Sequence, residues 1–264
     1  MGWTTHFCAS IPNWRAPENL DRSIDRFLLN TLAYGHIGWL VEEEYGWSRV
    51  ARSYYMLQPV QARYGVKAPT DIRYWGGQGL VDVSTAIERD LPRTRRQMRI
   101  DYPGGLRLWL NDHGSNSWRI SDGTRGLVLP PAGWAAATAG GEMSSYSGLV
   151  GTNRVDFMRC PEVVYLDGRG QWFETAEGGS SGSMTIFPRT GNGVGVIRFS
   201  GEGEVAIKRP FQTRGALREC RAWDAKNQPL AAPAVKDDGL VTRIAAVPNA
   251  IRYELRFETA DGKR

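Results

Sequence analysis

Apolar residues follow two different rhythms along this chain, and the change falls near residue 70. Before it, Leu20, Ile24, Phe27, Leu28 and Leu32 recur every three to four positions, which places them on one face of a helix that should stop near Gly35. Residues 36–41, from His36 through Trp39 to Val41, form a short apolar run that predicts a strand buried on both faces, ended by Glu42, Glu43 and Glu44. His36 is read as buried at this helix-to-strand junction. A second helix is expected next, with Val50, Tyr54, Leu57 and Tyr64 on one face, Ser48 as N-cap and Gly65 as a left-handed C-cap residue. Pro59 should kink or split it. Residues 3–8 predict a strand and residues 9–16 a loop bracketed by Pro12 and Pro17, with Pro17 suited to a first helical turn. Residues 1–66 therefore read as two β/α units. Alone they would leave Leu28, Leu32 and Trp39 in need of cover, and association with a missing segment or with a second copy is expected.

Beyond residue 70 the alternation becomes two-residue, with turn residues between runs. Segments 71–75, 80–83, 97–102, 106–110, 118–120, 127–134, 155–158 and 163–166 predict strands, with a Pro103-Gly104-Gly105 hairpin turn and with Pro130 and Pro131 ending one run. The pattern is that of an antiparallel β-sandwich over residues 67–180. The Gly- and Ser-rich stretch 177–183 reads as a flexible joint. After it, segments 194–199, 204–208, 217–223, 241–244 and 251–257 predict a smaller β-domain over 181–264. Asp237, Asp238 and Gly239 read as a β-turn in preference to a calcium loop.

Composition narrows the function classes. The 264 residues carry a net charge of +5, but 33 basic and 28 acidic residues are interspersed without a basic stripe, so nucleic acid is not an expected partner. No apolar run approaches the roughly 20 residues of a membrane helix, and no signal-peptide pattern opens the chain. Cys8, Cys160 and Cys220 lie far apart, and His6, His36 and His113 have no ligand spacing, so neither a metal nor another cofactor is expected. Ten Trp and ten Tyr are the most suggestive feature, since aromatic faces suit sugar rings as well as cores.

Residues 31–38 at the helix-to-strand junction, 54–58 in the second helix, 101–111, Trp118 and 129–133 together resemble the C-terminal part of bacterial glycoside hydrolases in which a (β/α)8 barrel is followed by β-sandwich domains, in the style of α-galactosidase-like and endo-α-N-acetylgalactosaminidase-like enzymes. The resemblance implies a partial barrel end, a sandwich and a carbohydrate substrate. A complete barrel needs eight units and about 250 residues, whereas two units precede the sandwich pattern. The catalytic carboxylate pair of such enzymes, about 5–5.5 Å apart when configuration is retained, would lie on strands this chain lacks. The chain is therefore expected to be a C-terminal piece, inactive alone, from a parent that is extracytoplasmic or secreted.

What it would contribute is active-site rim. His6, Trp14 and Arg15 follow the first strand, and Glu42, Glu43, Glu44, Tyr45 and Trp47 follow the second; Arg and carboxylate groups would bind hydroxyls while Trp stacks on the ring. The three Glu also suit a solvated helix start. The alternative is a non-catalytic carbohydrate-binding or structural sandwich, presenting Trp75, Trp109 or Trp134 from its surface.

Overall fold

The computed structural model describes residues 17–38, 40, 42–121, 126–208 and 215–258. The chain divides into two compact units, residues 1–154 and 155–264. Antiparallel sheet dominates, and every described helix lies in the first unit.

In the first unit α1 (Pro17–Ala33) opens on the expected proline, and α2 (Glu42–Tyr45) and α3 (Trp47–Tyr64) follow. The sheet runs β8 (Ser144–Val150), β7 (Gly133–Thr138), β4 (Leu106–Asn111), β3 (Gln97–Asp101), β1 (Asp71–Trp75), β2 (Leu80–Val81). Its register puts Leu106, Leu108, Leu110, Ile100, Trp134 and Ala136 on one face. Onto that face α1 lays Ile24, Phe27, Leu28 and Leu32, each at most 4% exposed. Burying each such side chain contributes about 1.5–3 kcal/mol. α3 adds Met56, whose carbonyl accepts from Ser145 Oγ on β8 at 3.3 Å. A buried charge cluster fixes the helices: Asp25 pairs with Arg52 of α3 and, at 2.9 Å, with Arg154, whose guanidinium also donates to the carbonyls of Pro131 and Ala132. The other face is partly roofed by the hairpin of β5 (Trp118–Ser121) and β6 (Gly126–Leu129), which joins the sheet through Val128 opposite Leu149.

Several expectations change here. Leu28 and Leu32 need no missing partner, because the chain's own sheet covers them. Residues 36–38 and 40 are not strand. Their backbone groups are taken by α3 side chains: Gln61 Nε2 donates to the Gly38 carbonyl at 3.1 Å, Tyr64 Oη to the His36 carbonyl at 2.7 Å, and Leu40 N to Ser53 Oγ at 3.3 Å. The described residues of this run thus form a connection between helices, and His36 is exposed. α3 continues through Pro59, begins after Gly46 instead of Ser48, and ends at Gly65 in a right-handed conformation (φ −51°). Tyr54 points outward, with Ala51, Met56, Leu57 and Val60 forming the inner face. Trp39 and residues 3–8 lie outside the described residues. Two short helices, α4 (Val83–Glu88) and α5 (Leu91–Thr94), occupy a stretch whose end near residue 83 reads as strand, since Asp82 caps α4 by accepting from Thr85 N at 3.0 Å.

The second unit holds two sheets. One has the order β16 (Leu217–Trp223), β19 (Arg252–Phe257), β14 (Gly193–Arg198), β13 (Ser183–Arg189), β10 (Val164–Asp167), β9 (Asn153–Arg159). The other runs β11 (Phe173–Glu174), β12 (Gly178–Ser180), β15 (Val205–Lys208), β18 (Val241–Ile244), β17 (Val235–Asp237). They meet through Phe157 and Phe173, whose rings lie edge to face at 6.5 Å. The stretch 177–183 is no joint: β12 is fully buried. A Cβ on Gly178 would lie 2.4 Å from the Ala206 carbonyl oxygen, and one on Gly182 2.2 Å from that of Ser200. Glycine is there so that backbones can touch. Asp238 Oδ1 accepts from Leu240 N and Val241 N, so the acidic pair before Gly239 forms a turn, as expected.

Candidate functional site

Of the rim residues read from the sequence, the side chains of Glu42, Tyr45 and Trp47 are described. His6, Trp14 and Arg15 lie outside the described residues. Glu42, Glu43 and Glu44 open the four-residue α2, where Glu42 is exposed and the side chains of Glu43 and Glu44 lie outside the described residues. Tyr45 is 5% exposed and belongs to the core, whereas Trp47 is half exposed. Of the aromatics proposed for a sandwich surface, Trp134 (0%) and Trp109 (6%) are buried, and Trp75 is half-buried.

A more coherent arrangement lies on the hairpin side of the first sheet. Two-residue alternation sends Asp71, Arg73 and Trp75 of β1, Arg99 and Asp101 of β3, Arg107 and Trp109 of β4 to that face. Register then sets them in rows. Arg73, Arg99, Trp109, Ala135 and Tyr146 stand side by side across β1, β3, β4, β7 and β8. In the next row Asp71 faces Asp101, which faces Arg107. Two carboxylates directly opposite would repel, and the arginines offset this: Arg99 Nη2 reaches Asp101 at 2.9 Å and Asp71 at 3.5 Å, Arg73 binds Asp71 at 2.7 Å, and Arg107 binds Asp101 at 2.8 Å.

The two ends of this face differ. Under the hairpin, Trp109, Trp118, Ile120, Leu129 and Ala135 form a closed cluster bordered by Trp75 and Tyr146, with the Trp75 and Trp118 rings 6.1 Å apart. Beyond it the ladder is open, with Arg107, Arg73 and Asp71 side chains 46%, 43% and 38% exposed. Three guanidinium groups against two carboxylates leave one positive charge in excess, and Arg99 Nε is buried without a hydrogen-bond partner among the described residues. Arg107 also lies 5.8 Å from the Trp109 ring centroid.

The Asp71 carboxyl of this face is not set as a general acid. The hydrogen bond from Arg73 holds the Asp71 carboxyl below the usual carboxylate range, against a smaller opposing effect of burial. A general acid needs the opposite shift. Burial, helped by Glu219, pushes the Cys220 thiol up to about 12, and burial likewise raises Cys160, so neither thiol is activated as a nucleophile.

No known protein family, curated protein or solved structure matches the chain. The face therefore has to be read from its own chemistry. Among the described residues no group of His, Cys, Asp and Glu side chains converges as a metal site, and no helix is long and apolar enough to cross a membrane. An open surface pocket of about 550 Å³ lies beside Ile87, Asp90, Pro92, Arg93 and Arg96, but Arg93 is bound to Asp90 at 2.8 Å and Arg96 is paired with Asp112.

Sequence reasoning missed the ladder because its residues come from three strands. The alternation in 71–75, 97–101 and 106–111 carries the information about faces; the pairing order does not appear in it. Asn111 was also missed: wholly buried, it binds the carbonyls of Asn116, Leu129 and Pro130 and accepts from Gln97 Nε2, tying the loop before the hairpin and the turn after it to β4.

Proposed function

We propose that the chain is a non-catalytic carbohydrate-binding module whose ligand lies along the arginine–aspartate ladder of the first unit and against the Trp75 edge. The observation that carries this reading is the row of Arg73, Arg99 and Trp109 beside Asp71, Asp101 and Arg107, where fixed guanidinium and carboxylate groups border an aromatic rim. Such groups hydrogen-bond sugar hydroxyls in preset directions while the ring covers apolar C–H surface. The excess positive charge favours glycans that carry carboxylates. The test is titration of the full chain with neutral and uronate-containing oligosaccharides, for wild type and for Trp75→Ala and Arg107→Ala. Binding weakened at least tenfold by either substitution supports the proposal; binding indifferent to both, or absent, refutes it.

A second reading follows the resemblance: the chain would be the C-terminal portion of a glycoside hydrolase, with residues 1–66 the end of a barrel, a sandwich and a smaller β-domain behind it, and Glu42, Trp47 and their neighbours on the active-site rim. The exposed apolar side chains Tyr34, Ile37, Trp47 and Tyr54 in the helical segment favour it, since a further segment or a second copy would cover them. Aryl α- and β-glycosides should then be turned over only when the missing barrel is supplied. Turnover by the chain alone, abolished by Glu42→Gln, would overturn this account.

A further inference from the structure

On the outer surface of the five-stranded sheet of the second unit, one aromatic ring is both exposed and held. Trp172, 43% exposed, precedes β11, and its Cζ2 rim atom meets β12 at Gly179, where a Cβ would come within 2.8 Å of it. Its indole Nε1–H donates to Glu174 Oε2 at 3.1 Å, and Glu174 Oε1 is bound by Lys208 Nζ at 2.7 Å. The Arg243 guanidinium lies over one face of the ring, 5.8 Å from its centroid, and binds Glu204 at 2.9 Å. An exposed Trp normally samples several rotamers; this one is held by a rim contact at Gly179, a charge-assisted hydrogen bond and a cation over one face.

We propose that Trp172 is a stacking platform for a neutral pyranose ring, a glycan-binding site separate from the ladder face. The ring supplies a flat apolar surface for the C–H face of a sugar, and fixing it beforehand removes the ordering cost of binding. Glu174, Lys208, Glu204 and Arg243 stand around it with charges that cancel in pairs, so they offer hydroxyl partners without favouring an ionic ligand. Gly179 has a role here that the sheet alone does not require, because a side chain would displace the ring. The inference extends the proposed carbohydrate-binding function to a second surface, and it can fail independently.

The test is a two-dimensional NMR titration of the full chain, uniformly labelled with nitrogen-15, using cellohexaose, maltohexaose, xylohexaose and an oligogalacturonate. The indole resonances of Trp172 and Trp75 are assigned from Trp172→Phe and Trp75→Phe. The expected result is movement of the Trp172 indole signal with at least one neutral hexaose, a dissociation constant raised tenfold or more by Trp172→Ala, and a similar loss in Gly179→Ala, which keeps the Trp. Movement confined to Trp75 would overturn this proposal and leave the ladder reading standing. Response of Trp172 to the oligogalacturonate alone would overturn the neutral-ligand assignment, and silence of both signals would overturn both readings.

Discussion

The ladder face of the first unit and the Trp172 face of the second use the same side chains to opposite ends. On the ladder face Trp109 of the sheet and Trp118 of the hairpin are buried in one cluster and the arginines and aspartates stand outside them. On the other face the Trp is outside, and the charged groups hold it in place. Charge differs as well, with one cation in excess on the ladder and pairwise balance around Trp172. Composition therefore does not tell a binding ring from a core ring. What decides is whether another strand pair crosses above it, and whether the neighbouring strand carries a glycine that leaves room for the ring's rim.

Replacing the equivalent residue on each face should break or confirm this contrast. Trp118→Ala removes a side chain 4% exposed, and a loss of about 3–5 kcal/mol is expected in urea unfolding. A loss below roughly 1 kcal/mol would mean that the hairpin does not seal the cluster. Gly182→Ala places a methyl group against the Ser200 carbonyl and should cost about 1–3 kcal/mol, with hydrogen exchange accelerating in residues 155–258 and staying unchanged in the first unit. A flexible joint would tolerate the substitution without a change in melting temperature. Trp172→Ala should shift stability by no more than about 0.5 kcal/mol while weakening neutral-glycan binding as stated above, the reverse of Trp118→Ala. Arg107→Ala, at an exposed ion pair, should cost about 0.2–1 kcal/mol and lose even that in high salt.

The smallest effect concerns pH. The hydrogen bond from Lys208 chiefly, and that from the Trp172 indole, keep the Glu174 carboxyl below the ordinary glutamate value of roughly 4.3, against slight burial. A depressed folded value means that the stabilisation is present in full above the unfolded value and disappears as pH falls through the folded one. The Trp172 indole signal should therefore stay constant from neutrality to about pH 5 and shift only below roughly 4.3. In Glu174→Gln that shift should vanish; a midpoint above the ordinary value would contradict the geometry.

Much of the fold was legible from the sequence, and the failures share a cause. Two-residue alternation located β1, β3, β4, β5, β10 and most later strands because each buries one face, and the spacing of Ile24, Phe27, Leu28 and Leu32 identified the inner face of α1. Alternation failed for β7, where Ala135, Ala136 and Ala137 succeed one another, and for the Ser-rich β8, since small side chains under bulky neighbours give no apolar rhythm. It failed again at β12, whose glycines resemble a linker by composition.

The sequence by itself determined local periodicity, turn positions and the supply of aromatic and charged side chains. It did not determine what covers what. Residues 36–41 carry a strand-like apolar run, yet Gln61, Tyr64 and Ser53, brought from α3, take up the backbone groups a neighbouring strand would have used. Leu28 and Leu32 find their cover on strands far along the chain, and Arg99 stands beside Trp109 only because β3 pairs with β4. Burial and hydrogen bonding are settled between segments distant in sequence, and a helix or strand pattern names only one partner of each contact; the tertiary structure supplies the other.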